Sequence, residues 1–302
     1  MKILITGSNG QLGNELQKII ATGTAEIGTV SEVIKTAEVI AVDVDKLDIT
    51  NLEQVKTILR EVKPDVVINC AAATNVDGCE ANKDLAFKIN ALGPRNLAMV
   101  CEEIGAKIVQ VSTDYVFRGV GDTPLNESDI VAPVSSYGKT KLLGEEFVRE
   151  FSSKYYIVRT AWLYGLGGKN FVKTMLRLSA DRDELTVVDD QHGSPTSTTT
   201  LCKIIEGIME KEPEYGVYHS TNEGFTTWYD FTKEIFRQAI EMGHTEYEKV
   251  EVAPVTTAEY GVSKAARPFN SRLAKSKLVE AGFTPLPTWQ DALRRYLQEI
   301  EF

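Results

Sequence analysis

Tyr137 and Lys141 stand four residues apart, and Ser112-Thr113 precedes them in the chain. On a helix that spacing places both side chains on one face, where an ammonium beside a phenol stabilises the phenol's anion. Bringing a phenol from its ordinary pKa toward 7 takes about 4 kcal/mol of differential stabilisation, which positive charge in a dry site can supply. With the Thr113 hydroxyl on the same oxygen, the set can protonate a carbonyl. Spacing alone is weak support, because Tyr229/Lys233 and Tyr260/Lys264 repeat it. Position separates the three pairs. Only Tyr137/Lys141 follows a fourth strand-helix unit with a hydroxyl pair closing the preceding strand, and the other two read as exposed tyrosines with solvated lysines.

Short apolar runs rich in β-branched residues recur at 2–6, 38–42, 65–69, 107–112 and 155–160, as expected of strands buried on both faces. Between them, 11–20, 51–61, 83–104 and 136–151 carry apolar residues at three- and four-residue spacing. This β-α alternation predicts an α/β fold, a Rossmann-type doubly wound parallel sheet, with a smaller, mainly helical companion domain. The expected division is a dinucleotide-binding domain over 1–160, rejoined by about 185–222, and a substrate-binding domain from 161–184 and 223–302. Helix is expected at 170–179 and strands at 185–188 and 216–220; beyond residue 226 the pattern is mostly helical and broken by prolines.

Gly7, Gly10 and Gly13, with Gln11 and Leu12 between the last two, lie between the first strand and the first helix. Backbone N–H groups at such a helix start can hold a pyrophosphate, and the glycines permit close backbone approach. Asp43 ends the second strand, thirty positions after Gly13 where about 20 is usual, the polar stretch 22–36 supplying the extra length. A carboxylate there accepts ribose hydroxyls and repels a 2′-phosphate, which favours NADH; Lys46 nearby keeps NADPH open. Asp48 and Ile49 fit an adenine clamp, carboxylate to the amino group and isoleucine on the ring. Ala71, Ala72, Ala73 and Thr74 close the third strand with small side chains that let a dinucleotide cross the sheet edge, a run that equally suits plain core packing.

A length of 302 residues with 43% hydrophobic content suffices for a main domain with a smaller partner, and a net charge of −10 lacks the basic footprint that nucleic acid requires. Cys70, Cys79, Cys101 and Cys202 lie far apart without metal or redox spacing. The N-terminal apolar run is too short for a signal segment and no stretch approaches a membrane span, so the expectation is a cytoplasmic protein with no membrane or nucleic-acid partner. His192, His219 and His244 are scattered, and no metal ligands are assigned.

The glycine loop, the run from Asn69 to Ala73, Asn90 in its Asn-Ala-Leu-Gly-Pro-Arg-Asn-Leu stretch and the Thr113/Tyr137/Lys141 set resemble the extended short-chain dehydrogenase/reductase superfamily over roughly the first 160 residues. Its 4,6-dehydratases carry an acidic pair after the threonine. Here Asp114 is followed by Tyr115, which disfavours dehydration. The stretches 112–117, 159–165, 189–196 and 267–273 closely resemble the dTDP-4-dehydrorhamnose reductase family along nearly the whole chain.

That resemblance implies hydride transfer from NADH or NADPH to C4 of a dTDP-linked 4-keto sugar, with Tyr137 as proton donor, Lys141 tuning it and holding the nicotinamide ribose, and Thr113 orienting the carbonyl. Val76, Asp114, Tyr115 and Trp162 would contact the sugar, although aromatics after a buried strand also serve as core. Arg267 and Arg272 either pair with the substrate diphosphate or brace the small domain. The resemblance also implies a homodimer, and some relatives hold magnesium at a dimer contact, a site the sequence does not place. Two alternatives stand beside this reading: another nucleotide-sugar enzyme such as an epimerase, and a non-catalytic relative like the regulatory subunit of methionine adenosyltransferase.

Overall fold

The computed structural model describes residues 1–25 and 27–302. Its centre is a six-stranded parallel sheet of β1 (Lys2–Thr6), β2 (Glu38–Val42), β3 (Val66–Asn69), β4 (Lys107–Thr113), β5 (Tyr155–Thr160) and β6 (Gly216–His219), in the order β6-β5-β4-β3-β1-β2. Alternation along β1 drives the layering. Ile3 and Ile5 pack on one face with Leu16 and Ile19 of α1 (Gln11–Thr22), while Leu4 packs on the other with Val55 and Leu59 of α2 (Leu52–Val62) and Leu97 of α3 (Gly93–Ile104). Helix α4 (Ser136–Phe151) adds Val148 to that second face. The strand order reverses at β1, so the C-terminal edge between β1 and β3 is the crevice where such sheets bind ligands.

Beyond β5 the chain leaves the sheet. Helices α5 (Phe171–Asp181), α7 (Trp228–Glu241) and α8 (Trp289–Glu299) build a second core around Phe231, Ile235, Trp289 and Leu293, while α6 (Thr198–Lys211) lies against α1 and leads into β6. The strand expected near 185 forms at Glu184–Val188, but outside the central sheet: it pairs in parallel with Glu251–Val255, and its Leu185 and Val187 pack into the second core. The chain therefore re-enters the central sheet with β6 and not at 185. A β-branched run identifies a strand without naming its partner, and β6 takes the place beside β5.

The helix expected over 83–104 is helical throughout but not uniform. Lys88–Leu92 forms a π-turn between an α-helical stretch, Lys83–Phe87, and α3. Asn90 sits inside it, donating to the carbonyl of Ala73 at 3.0 Å and accepting the Ala73 N–H at 2.8 Å, so the bulge pins the loop after β3. The Asn90 backbone also touches α4: a Cβ on Gly144 would lie 2.2 Å from its carbonyl oxygen. Gly144→Ala should force the two elements apart and destabilise the protein by about 1–3 kcal/mol, read as a lower urea midpoint at unchanged m-value; an unchanged midpoint would show that this contact relaxes freely.

Candidate active site

Tyr137 lies in the first turn of α4. The Ser135 hydroxyl caps that turn by accepting the Gly138 N–H at 3.1 Å, and Glu80 accepts from the Ser136 N–H and hydroxyl at 2.6 and 2.7 Å. Gly138 follows Tyr137 because nothing larger fits: a Cβ there would stand 2.2 Å from the carbonyl oxygen of Tyr115. That close pass brings the end of β4 to the phenol. Thr113 accepts the Tyr115 N–H at 3.2 Å and donates to Asp114 at 2.9 Å, and the Tyr115 ring meets Tyr137 edge-on, centroids 5.3 Å apart.

Electrostatics in this pocket are ruled by burial. Tyr137 keeps some surface open to the cleft, yet its phenol is deep enough that desolvation raises its pKa well above the usual value, with the Thr113 hydroxyl as the chief opposing influence. Lys141 is buried and donates to the carbonyl of Val111 at 2.6 Å; burial brings its pKa down to about 8, against the pull of Glu145 and Cys70. The lowering of Tyr137 expected from Lys141 is thus outweighed by burial. Desolvation acts on both groups and favours the neutral form of each.

A cleft of about 430 Å³ at the C-terminal edge of the sheet collects Gly7, Gly10, Gln11, Leu12, Gly13, Ala72, Thr74, Val76, Thr113, Asp114, Tyr115, Tyr137, Lys141 and Trp162. At its mouth the backbone is packed too closely for side chains. A Cβ on Gly7, whose φ is +62°, would lie 2.6 Å from the Ala71 nitrogen, and one on Gly13 would lie 2.4 Å from the Gly7 carbonyl oxygen. The start of α1 has no side-chain cap, so its N–H groups are available to a phosphate, and the residues present fit a dinucleotide.

Five expected cofactor residues do not line this cleft. Asp43 accepts the N–H groups of Asn9 at 2.9 Å and Val44 at 2.7 Å, tying β2 to the glycine loop. Asp48 accepts from the N–H and hydroxyl of Thr50, and Ile49 is buried against Gly93. The Ala71 N–H donates to Asn69, and the Ala73 backbone is held by Asn90. Of the arginines, Arg267 lines the cleft, whereas Arg272 bonds Asn270. Tyr229 and Lys233 form a cation–π pair on α7, away from the cleft.

Sequence reasoning missed the companion cavity. About 720 Å³ in volume, it includes Phe171, Gln191, Tyr260, Lys264 and Asp77, and it shares Trp228 and Arg267 with the first. Arg267 donates to the Tyr115 hydroxyl at 3.1 Å and to Ser263 at 2.8 Å, and pairs with Asp77 at 3.4 Å. Trp162, expected against a sugar ring, is stacked on Trp228 at 3.6 Å and held at φ +50°, a costly backbone conformation for an indole residue. Trp228 carried no motif, only an aromatic at the start of a helix. Among the described residues no group of three or more His, Cys, Asp or Glu side chains converges, so no magnesium site is placed.

Asp114 is almost wholly buried, and desolvation raises its pKa to about 6, with the Ser271 and Thr113 hydroxyls drawing it back. Because the folded-state value lies above the unfolded one, the carboxylate opposes folding above pH 6, and that penalty fades as pH falls from about 6 to 4. Asp114→Asn should therefore be more stable than the parent at pH 8, by at most about 3 kcal/mol, with the difference vanishing near pH 4. Urea titrations at both pH values check this, and a gain independent of pH would contradict it.

The family model described as "RmlD substrate binding domain" matches residues 1–302. The dTDP-4-dehydrorhamnose reductase of Escherichia coli K12 is 38% identical, covering 99% of this chain and 98% of its own. Among solved structures, a dTDP-4-dehydrorhamnose reductase from Clostridium acetobutylicum superposes with a TM-score of 0.90 at 49% identity, covering 99% of both chains. One from Bacillus anthracis in complex with NADP gives 0.89 at 41%, again over 99% of each. With a glycine-cradled cleft, a Tyr/Lys pair within it and full-length matches on both sides, the chain belongs to the dTDP-4-dehydrorhamnose reductase family.

Proposed function

We propose that this protein reduces the C4 ketone of dTDP-4-dehydro-L-rhamnose to dTDP-L-rhamnose with a nicotinamide cofactor. The carrying observation is that the glycine loop, Thr113, Tyr137 and Lys141 meet in one cleft, and that a second cavity shares Trp228 and Arg267 with it. A dinucleotide suits the first and the nucleotide end of the substrate the second. In this reading the sheet, α6 and β6 form the cofactor domain, and the lobe of α5, α7 and α8 forms the substrate domain.

A reduced nicotinamide bound at the glycine loop would supply the hydride for C4. Tyr137 gives its hydroxyl proton to the oxygen that becomes the alcohol, and its raised pKa keeps that proton in place until the ketone arrives. Thr113 fixes the carbonyl beside Tyr137, and Lys141 supports the phenolate once formed while holding the nicotinamide ribose. Asp114, Tyr115, Val76 and Trp162 border the sugar, and Arg267 faces the diphosphate from the junction of the two cavities. A carboxylate at Asp43, at the end of β2, would repel a 2′-phosphate, which supports NADH, and exposed Lys46 leaves NADPH a usable donor. A cytoplasmic homodimer belongs to the same reading, supported by composition and by the family.

Tyr137→Phe should bind cofactor normally and lose on the order of 10²–10⁴ in kcat, followed by NADH and NADPH oxidation with the keto-sugar nucleotide. Turnover equal to the parent would remove Tyr137 from the mechanism, and an inactive parent with both donors would remove the reaction.

A further inference from the structure

Glu145 lies one turn beyond Lys141 on α4 and is fully buried; Arg159 on β5, 1% exposed, grips it with both ends of its guanidinium, Nε to Oε1 at 2.9 Å and Nη2 to Oε2 at 2.7 Å. The Ser112 hydroxyl donates to Oε1 at 2.6 Å, and Arg149 approaches Oε2 at 3.3 Å. These contacts join β4, α4 and β5: β4 ends in Thr113, α4 carries Tyr137 and Lys141, and Trp162 follows β5. A buried ion pair is weak support for stability, because a well-packed apolar pair serves as well, so its presence behind the site calls for a second role.

We propose that Glu145 and Arg159 are positioning residues for the carbonyl reduction, their ion pair seating α4 on the sheet and setting the charge environment of Lys141. This rests on the reductase reading above. The charge inventory around Lys141 is short. On its own helix Tyr137 lies one turn before it and Glu145 one turn after; next to β3 comes Cys70, whose thiol burial pushes up to about 12 and so keeps neutral; from β4 comes the Val111 carbonyl. Behind Glu145 stand Ser112, Arg149 and Arg159, and behind Arg159 the Phe117 ring, the Glu127 carbonyl and His219, whose pKa burial and Arg159 bring down to about 3. Among the described residues Glu145 is thus the carboxylate that acts on Lys141, and Arg159 is its main counterweight.

Removing each partner should push Lys141 in opposite directions. Glu145→Gln withdraws the anion, so the ammonium gives up its proton earlier and the alkaline limb of kcat/KM moves to lower pH. Arg159→Gln leaves the anion less compensated and moves the limb to higher pH. Each displacement should be at least about half a pH unit. Glu145→Gln/Arg159→Gln together should return the limb near the parent's, and Arg159→Lys, which keeps the charge, should stay there.

The experiment is a pH profile of keto-sugar reduction for the parent and these four variants, with thermal unfolding confirming that each is folded. Where Glu145→Gln does not fold, the Arg159→Gln and Arg159→Lys comparison carries the test; where Arg159→Gln does not, Glu145→Gln against the parent carries it, a limb moved to lower pH supporting the proposal and an unmoved limb overturning it. Limbs displaced in opposite senses, or for that comparison an upward shift only in Arg159→Gln, support the proposal. An active parent whose limb is unmoved in the variants, or moved the same way in both single variants, overturns it. A parent without reductase activity would instead strike the reductase reading.

Discussion

The site exists because backbone is allowed to touch backbone at a few glycines. Gly7 meets the chain after β3, Gly138 meets the turn after β4, and Gly144 meets the π-turn at Asn90, each at a distance where a Cβ would clash. Interiors this dense transmit displacement instead of absorbing it. The position of the phenol relative to the Thr113 hydroxyl is therefore fixed by the spacing of main chains, and the side chains that perform chemistry hang from a frame that tolerates no added atom at these points.

Dryness is the second consequence of that frame. Burial raises Tyr137, Asp114 and Tyr115 and lowers Lys141, moving every one of these groups toward its uncharged form. Groups held away from water in this way leave few mobile dipoles beside the charge that a bound cofactor and substrate would bring. Field strength is preserved where it is needed. The ion pair behind α4 fits the same scheme, since it balances most of its own charge within the interior.

Much of this was legible in the residues. The β-α alternation gave all five expected strands of the sheet within a residue or so, and the glycine loop fell at the start of α1. Thr113, Tyr137 and Lys141 could be chosen over two decoy pairs because position in the alternation carries spatial information that i,i+4 spacing does not. What stayed hidden depended on distant partners. The strand at Glu184–Val188 could be recognised but not assigned to Glu251–Val255, because period-two patterning says nothing about which edge it joins. Asp43, Asp48 and Ile49 were picked for their places after β2, yet their side-chain engagements are set by Asn9, Thr50 and Gly93, which lie on other loops and helices or are too close in sequence to leave a pattern. Trp228 was invisible for the same reason.

The stacked indoles of Trp162 and Trp228 come from stretches far apart in the chain, one following β5 and the other opening α7. Two such chromophores at 3.6 Å couple electronically, whereas Trp289, the third and last tryptophan, lies 6% exposed in the second core. The protein thus carries an optical gauge of how the start of α7 sits against the stretch after β5, with a shielded tryptophan as internal standard: any event that slides one past the other changes the spectrum of the pair and leaves the standard unmoved.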